Sequence, residues 1–213
     1  TTQRVGKSRK SPKSAAMKRD QTLEVVWFKR DLRVEDHRPL AQEAAQGAGQ
    51  GLVLPLYIAE HEFWQLPDAS TRQWAFVAEG LESLNMALSQ RGQGLCVRTG
   101  DAVTVLDALR QAFPRMRLWS HEETGNAWTF SRDKRVLAWT RAHGIEWHEV
   151  QPAGVIRRLK QRNGWARRWD QSMSQALTPA PQALTPLPNV NAGSIPTKSD
   201  LRLAPDPCPH AQA

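Results

Sequence analysis

The chain has 213 residues, enough for one hydrophobic core with tails, and its hydrophobic fraction of 40% is slightly low for a fully folded chain. Its net charge of +8 is concentrated in residues 1–19, which contain seven basic side chains and no acidic one, whereas residues 20–177 contain 20 basic and 19 acidic side chains. The total charge therefore does not indicate a basic nucleic-acid-binding fold. No stretch of the sequence comes near the length of a membrane span, which needs about 18 consecutive apolar residues.

The first 21 residues are densely basic and lack the apolar core of a secretory signal, and we expect a disordered basic tail. The alternatives are a targeting arm, a DNA-touching arm and an extension upstream of a chain that starts at Met17. The two cysteines, Cys96 and Cys208, lie far apart in the sequence and fit no metal-binding or redox spacing. They are typical of free thiols in a reducing compartment, which indicates a cytoplasmic protein.

The first predicted strand, residues 23–28, is followed directly by a cluster of charged side chains. The strand is rich in β-branched and aromatic residues, which is typical of a buried strand. The stretch KRDLRVED comes next, and in it Asp31 stands between Arg30 and Arg33. A carboxylate held by two guanidiniums favours a loop braced by charge-assisted hydrogen bonds over an acid–base pair.

Helical and strand-like segments then alternate along the chain. A short helix is predicted over residues 39–46, with proline tolerated in its first turn, and a strand over residues 51–59. The clearest helix covers residues 71–90, where apolar side chains recur every three or four positions. Ser70 and Gln73 form a capping-box pattern at its start.

The remaining elements complete an α/β domain over residues 22–177. They are, in order, a strand over 95–99, a helix capped by Asp101, a strand over 116–120, a helix over 127–143 and a strand over 145–150. Five strands separated by helices predict a five-stranded parallel, doubly wound sheet of the Rossmann-like or flavodoxin-like kind. Ligands of such folds bind beyond the carboxyl ends of the strands, so the charged cluster lies where a site is expected.

Residues 178–213 have a different composition. Eight of the fourteen prolines and no aromatic residue fall in this segment. It cannot bury enough apolar surface to form a core, so we expect a disordered, Pro-rich interdomain linker.

The familiar phosphate-binding and hydrolytic motifs are absent from the sequence. His121, Glu122 and Glu123 stand together after the fourth strand, but adjacent residues of an extended segment point in opposite directions and converge poorly on a metal. This stretch is predicted to be either a hydrogen-bonding loop for a polar ligand or a solvated turn.

The stretch 157–169 contains six basic residues, Trp165, Trp169 and no acid. Such a mixture fits a contact with bases and phosphates. We favour instead a packing surface, in which arginine stems and indole faces lie on the sheet edge or on a partner domain.

Several stretches, taken in order, resemble the photolyase/cryptochrome family. VVWFKRDLRVEDHRPL, residues 25–40, is similar to the family's first strand and its W-F-R-x-D-L-R-x-x-D-N motif, with Lys29–Arg30 in place of Arg–x and His37 where Asn is common. EETGNAWTFSRDKRVLAW resembles the family's acidic loop and Arg-Asp helix, and GWARRWDQSM its interdomain connector. The resemblance covers about residues 24–203.

The resemblance implies the N-terminal antenna domain of a deoxyribodipyrimidine photolyase or cryptochrome, a light-dependent flavoprotein of DNA repair or blue-light sensing. In that family the domain carries an accessory pigment, which is methenyltetrahydrofolate, a deazaflavin or a flavin. A larger helical domain, with no counterpart in this sequence, binds FAD and performs electron transfer. We therefore expect a fragment that is inactive in repair alone and contains no catalytic residue.

The helical FAD-binding domain is the expected partner, and DNA is expected to be contacted only through the intact protein or weakly through the basic segments. An alternative is a non-catalytic interaction module that docks on a separate flavin domain or on nucleic acid. Arg30, Asp31 and Arg33 are expected to brace the loop at the interface. The candidate pigment contacts implied by the resemblance are Phe28, Arg30, Asp31, Arg33, Glu122, Glu123 and Asn126.

Overall fold

The structure is a computed structural model that describes residues 21–46, 51–152, 154–157, 159 and 161–204. The basic tail predicted at the N-terminus, apart from its last residue, lies outside the described residues, as do Cys208 and the end of the predicted linker. None of the helices in these ranges is long and apolar enough to cross a membrane.

The described residues form one parallel sheet of five strands, as predicted. The strand order is β3-β2-β1-β4-β5, so the chain winds in one direction from β1 to β3 and then in the other through β4 and β5. The strands are β1 (Thr22–Phe28), β2 (Gly51–Ala59), β3 (Cys96–Thr99), β4 (Met116–His121) and β5 (Glu146–Val150).

Helices connect the strands and cover both faces of the sheet. Four of them lie where the sequence predicts helices, whereas the one-turn helix α2 and the helix α6 were not predicted. The helices are α1 (Arg38–Gln46), α2 (His61–Trp64), α3 (Thr71–Ser89), α4 (Ala102–Ala112), α5 (Ala127–Ala142) and α6 (Trp165–Met173).

The core has two halves, one on each face of the sheet. On one face the buried stripe of α3 packs against side chains of the strands, and it consists of Trp74, Leu81, Leu84 and Leu88. On the other face Leu106 of α4 and Val136 and Trp139 of α5 pack against the opposite side chains of the same strands. Burial on both faces explains why the central strands read as continuous apolar runs.

The helix starts follow the predicted capping patterns. The side chain of Ser70 accepts a hydrogen bond from the Gln73 amide at 3.2 Å, and the Gln73 side chain accepts one from the Ser70 amide at 2.9 Å. Asp101 accepts a hydrogen bond from the Thr104 amide at 3.1 Å at the start of α4. Both caps satisfy amides that have no partner inside their helix.

Residues 178–204 pack against the domain, and we call this segment the C-terminal strap. The prediction that the Pro-rich segment is a disordered tail is wrong for these residues, because Leu184, Leu187 and Leu201 are buried. A segment without periodicity or aromatic residues cannot form a core of its own, but its leucines complete the cores on the two faces of the sheet.

Backbone hydrogen bonds hold the strap along one edge of the sheet. The Val53 amide donates to the Thr185 carbonyl at 2.9 Å, and the Val97 amide donates to the Ala192 carbonyl at 2.7 Å. Val97 belongs to β3, the outer strand on this side, so the strap covers an edge that would otherwise expose unpaired amides.

Candidate functional site

The reversal of the winding direction at β1 places its carboxyl end beside the carboxyl ends of β2 and β4. The loops that leave these three strands, together with the start of α5, meet at one rim of the sheet. Ligands of doubly wound folds bind at this position.

A cavity of about 530 Å³ opens at this rim, and we call it the rim cavity. This volume lies within the range of pockets that hold cofactor-sized ligands. Its lining combines a group of aromatic side chains, which we call the aromatic wall, with charged and polar side chains. Arg30 and Arg33 belong to the charged part, with side chains that are 58% and 44% exposed. The aromatic side chains lining it include Trp27, Phe28, Tyr57, Phe63 and Trp64.

A buried ion pair forms the polar part of the cavity wall. Arg132 of α5 lies 3.0 Å from a carboxylate oxygen of Glu60, and the same guanidinium lies 2.9 Å from Asp133 and 3.5 Å from Glu123. Burial raises the pKa of Glu60. Burial alone would lower the pKa of Arg132, but its carboxylate neighbours together raise it, so the guanidinium stays charged.

Tyr57, at the end of β2, presents a buried hydroxyl group. The residue is 6% exposed and lines the rim cavity, and its hydroxyl makes no hydrogen bond within the described part of the chain. Burial raises the pKa of this phenol above its ordinary value of 10.0. Since buried polar groups are normally hydrogen-bonded, a ligand or water in the cavity is the natural partner of this hydroxyl.

Lys29 is not part of a solvated charge cluster. Its side chain is 5% exposed, lies 3.1 Å from Asp133 and donates to the His121 carbonyl at 3.3 Å. Burial lowers the pKa of this ammonium group, although Asp133 opposes the shift. The ammonium also lies 4.5 Å from the centre of the Trp27 ring, so a cation–π interaction holds this ring of the aromatic wall in place.

The expected bracing of Asp31 by two guanidiniums is wrong. Its carboxylate instead accepts hydrogen bonds from His37 Nε2 at 2.8 Å, from His121 Nδ1 at 2.5 Å and from the Lys29 amide at 2.9 Å. Burial by itself would raise the pKa of Asp31, but the hydrogen bonds from the two histidines hold it well below the ordinary value. Asp31 therefore braces the loop, but with histidines of β4 and of the start of α1.

The ligand-type atoms of Asp31, His37 and His121 all lie within 4.8 Å of one another, a grouping that could hold a metal ion. The protonation of the His37 ring argues against a metal site. The Leu40 amide donates to His37 Nδ1 at 3.1 Å, so this nitrogen bears a lone pair and Nε2 carries the proton that bonds Asp31. His37 thus caps α1 and orients Asp31, and its Nε2 has no lone pair to offer a metal.

The two arginines of the predicted site have separate roles. Arg33 donates to the carbonyls of Glu35 and Asp36, both at 3.1 Å, and so fixes its own turn. Arg30 lies 3.4 Å from Glu123 with most of its guanidinium in solvent. Arg30 is therefore available to a charged group of a ligand at the opening of the rim cavity.

The predicted acidic loop faces a second cavity, of about 720 Å³. Glu122 and Asn126 line this second cavity and not the rim cavity, whereas Glu123 lines both. Asn126 also caps α5 by accepting a hydrogen bond from the Thr129 amide at 3.1 Å. Of the seven predicted pigment contacts, the rim cavity thus gathers Phe28, Arg30, Arg33 and Glu123, and Asp31 lines neither cavity.

The residue-level prediction missed Tyr57, Glu60 and Arg132. Two of them could have been found, because Tyr57 and Glu60 stand at the carboxyl end of the second predicted strand, on the same rim as the charged cluster. Arg132 belongs to the Arg-Asp helix of the family resemblance, but its turn toward the cavity depends on the packing of α5.

The basic stretch 157–169 has two parts that lie in different surroundings. Arg157 pairs with Glu149 at 3.0 Å and with Asp133 at 3.3 Å, and it donates to the Glu123 carbonyl, so it belongs to the charged network beneath the rim. Trp165 and Trp169 lie on α6, which contains no buried residue.

The fold and the rim cavity define a doubly wound α/β domain with a cofactor-sized cavity at the carboxyl ends of its strands. A model of the DNA photolyase family matches residues 24–182, most of the chain, and the chain belongs to this family. It corresponds to the N-terminal domain of photolyases and cryptochromes.

Curated relatives include photolyases and cryptochromes. The chain is 40% identical over 68 residues to the deoxyribodipyrimidine photo-lyase of Salmonella typhimurium, a match that covers 32% of this chain and 14% of that protein. It is 28% identical over 120 residues to the chloroplastic/mitochondrial cryptochrome DASH of Arabidopsis thaliana, covering 53% of this chain and 21% of the relative. The matched part of the chain thus spans about a fifth or less of the length of these two relatives.

Solved structures share the fold. The class III photolyase of Agrobacterium tumefaciens superposes with a TM-score of 0.66 at 23% identity, over 92% of this chain and 41% of that one. The archaeal photolyase of Sulfolobus tokodaii, solved with two FAD molecules and discussed as implying a novel light-harvesting cofactor, gives a TM-score of 0.59 at 20% identity, over 77% of this chain and 38% of that one.

Proposed function

We propose that this chain is a light-harvesting antenna domain that binds a planar heteroaromatic pigment in the rim cavity. The observation that carries the proposal is the buried hydroxyl of Tyr57, which has no hydrogen-bond partner in the described residues and lines a cavity of suitable size. Phe63 and Phe76, the aromatic side chains of the lining that are not buried, are the candidates for ring stacking. When bound, such a pigment absorbs light and passes the excitation energy to a neighbouring flavin.

Within this proposal the pigment is a flavin or deazaflavin. Such a ring system has an apolar edge and a polar edge, which match the aromatic wall and the group formed by Tyr57, Glu60 and Arg132. A phosphate on its side chain would meet Arg30 and Arg33. The two FAD molecules of the Sulfolobus tokodaii photolyase support a flavin-type pigment in a relative of the same fold.

Repair or photoreception by a whole flavoprotein is the context in which the antenna would act. In that context the partner is a FAD-binding domain that receives the excitation energy. The chain by itself is proposed to bind the pigment and to perform no chemistry on DNA, because the rim groups are engaged in holding the loop and the ion-pair network.

The test is a titration of the purified chain with FMN, with an 8-hydroxy-5-deazaflavin and with methenyltetrahydrofolate, followed by pigment absorbance and tryptophan fluorescence. We expect saturable binding of the flavin-type pigments and weaker binding of the folate. Failure of all three to bind would overturn the proposal.

A cavity-filling variant locates the binding site. A Cβ atom at Gly80 would lie 3.1 Å from the end of the Leu32 side chain at the cavity wall, so Gly80→Leu should occupy the cavity while raising helix propensity. Glu79→Leu, on the exposed side of the same helix turn, is the matched control. Binding should be lost in Gly80→Leu and retained in Glu79→Leu.

A further inference from the structure

Helix α6 presents an exposed aromatic and basic face outside both cavities. The helix has no buried residue, and the indoles of Trp165 and Trp169 are 43% and 40% exposed. Two neighbouring exposed aromatic side chains form a contiguous apolar patch, and such patches are typical of binding surfaces.

Gly154 packs against the indole of Trp169 and fixes its position. A Cβ atom placed on Gly154 would lie 2.3 Å from Trp169 Cδ1, so one edge of the indole rests directly on the Gly154 backbone. The residue as a whole remains 40% exposed. Glycine at this position thus lets α6 pack closely while one indole is held in a defined orientation.

The two indoles form an exposed aromatic pair, one helical turn apart. Their centroids are 6.5 Å apart, and their planes are inclined by 31°. This is an ordinary spacing for neighbouring aromatic rings and leaves no room for a base between them, so a base would stack on the outer, exposed faces of the indoles.

Three arginines near the two indoles in sequence have no carboxylate partner among the described residues. Arg162, Arg167 and Arg168 are exposed, and none of them forms an ion pair among the described residues. Arg157, a few residues earlier, is by contrast fully engaged by carboxylates. The stretch 162–169 contains no acidic residue and Asp170 is the one acid of α6, so the charge around the two indoles is net positive.

We propose that α6 binds single-stranded nucleic acid, with bases stacking on Trp165 and Trp169 and phosphates meeting Arg162, Arg167 and Arg168. A single strand supplies a flat ring and an anion at every nucleotide, which is the pairing that this face lacks. A protein partner would have to bring an acidic group to each of the three guanidiniums as well as an apolar group for the indoles. This proposal is independent of pigment binding.

The test is fluorescence anisotropy of the full chain with labelled oligothymidylate and oligouridylate of about 20 nucleotides. Trp165→Ala, and Trp165→Ala with Trp169→Ala, should weaken binding by at least about fivefold, since stacking accounts for roughly 5- to 150-fold per base. Arg167→Ser with Arg168→Ser should reduce the salt dependence of the association constant by about 1.4 in the log–log slope.

The basic N-terminal tail is present in every variant, so its contribution is constant. Lys134→Ser with Arg141→Ser, which removes two exposed charges from α5, is the matched control and should have a smaller effect than the α6 variants. Thermal melting should be nearly unchanged in Trp165→Ala. Equal binding by wild type and the tryptophan variants, or equal binding of an abasic strand of the same length, would overturn the proposal, as would no binding of either oligonucleotide.

Discussion

At the scale of single residues, Tyr57 and His37 determine how the rim can be used. Tyr57 presents a buried hydroxyl to the rim cavity, and His37 holds the loop that shapes one side of that cavity. Neither role involves proton transfer to a substrate. Both are consistent with a domain that positions a pigment by shape and hydrogen bonding.

Tyr57→Phe should weaken flavin binding by about 2- to 13-fold, which corresponds to the loss of one hydrogen bond of about 0.5–1.5 kcal/mol. The dissociation constant for FMN measures the effect, and the variant should fold normally because the change removes an unpartnered hydroxyl. Unchanged affinity would show that the hydroxyl does not contact the pigment.

Tyr57 is the only tyrosine of the chain, so the near-UV tyrosinate signal reports on it alone. Because burial raises the pKa of this phenol, the folded chain should show no tyrosinate near pH 10, where an exposed tyrosine is half ionised. Full ionisation near pH 10 in the folded chain would contradict the burial of the hydroxyl.

His37 predicts a definite pH dependence of stability. Burial lowers its pKa below the ordinary value of 6.5, so the unfolded chain binds more protons at this ring than the folded chain does. The free energy of unfolding should therefore be greatest above pH 6.5 and decrease as the pH falls from 6.5 toward the lower pKa of the folded state.

His37→Asn should reduce this decrease, because asparagine can cap the helix without titrating in this range. Denaturant unfolding at several pH values between about 7 and 5 measures it. His61→Asn, at an exposed position, serves as the control. An identical pH dependence in His37→Asn and wild type would show that the His37 ring does not titrate on unfolding.

The pairing of Asp31 shows why such contacts escape a reading of the sequence. The neighbours of Asp31 in sequence are arginines, and a braced loop was predicted from them. The turn directs both guanidiniums elsewhere, while His121, ninety positions away, donates to the carboxylate. Sequence proximity predicts that a loop is braced, but the partners depend on how β1 and β4 lie side by side.

At the scale of elements, the strands and long helices could be predicted because each has a clear period or a clear apolar run. The predicted strand over 51–59 has the bounds that the structure gives to β2. Pro55 lies inside this strand, and a proline within a strand indicates an edge or a bulge. Pairing with β3 begins only at Leu56, so Pro55 precedes the segment in which β2 is hydrogen-bonded on both sides by other strands.

The C-terminal strap could not be predicted in the same way. Its prolines and lack of periodicity exclude a helix or a regular strand, and its burial depends on an edge of the sheet formed by residues far earlier in the chain. Composition therefore indicated that the segment has no core of its own, but not that its leucines lie in the core of the domain.

The strap should contribute measurably to stability. Leu201→Ala should lower the free energy of unfolding by about 2–5 kcal/mol, because the side chain is fully buried against the α3 face of the core. Leu177→Ala, just before the strap and 79% exposed, should change it little. Chemical denaturation of the two variants provides the comparison, and equal stabilities would contradict a packed strap.

At the scale of the whole molecule, the fold, the family and the rim cavity lead to the same account. The order of strands places the ends of β1, β2 and β4 together, the side chains at those ends form the rim cavity, and the family is one of light-dependent proteins. The sequence predicted the rim as the place of the site. It could not predict which cavity the acidic loop faces, because that depends on how α5 packs.

The most direct test of the antenna proposal is a crystal structure of the chain soaked with FMN. We predict density for one flavin in the rim cavity, with its ring against the aromatic wall and a polar atom within hydrogen-bonding distance of Tyr57 Oη. Density in the second cavity beside Glu122 and Asn126, or no density in the rim cavity at a saturating concentration, would contradict it.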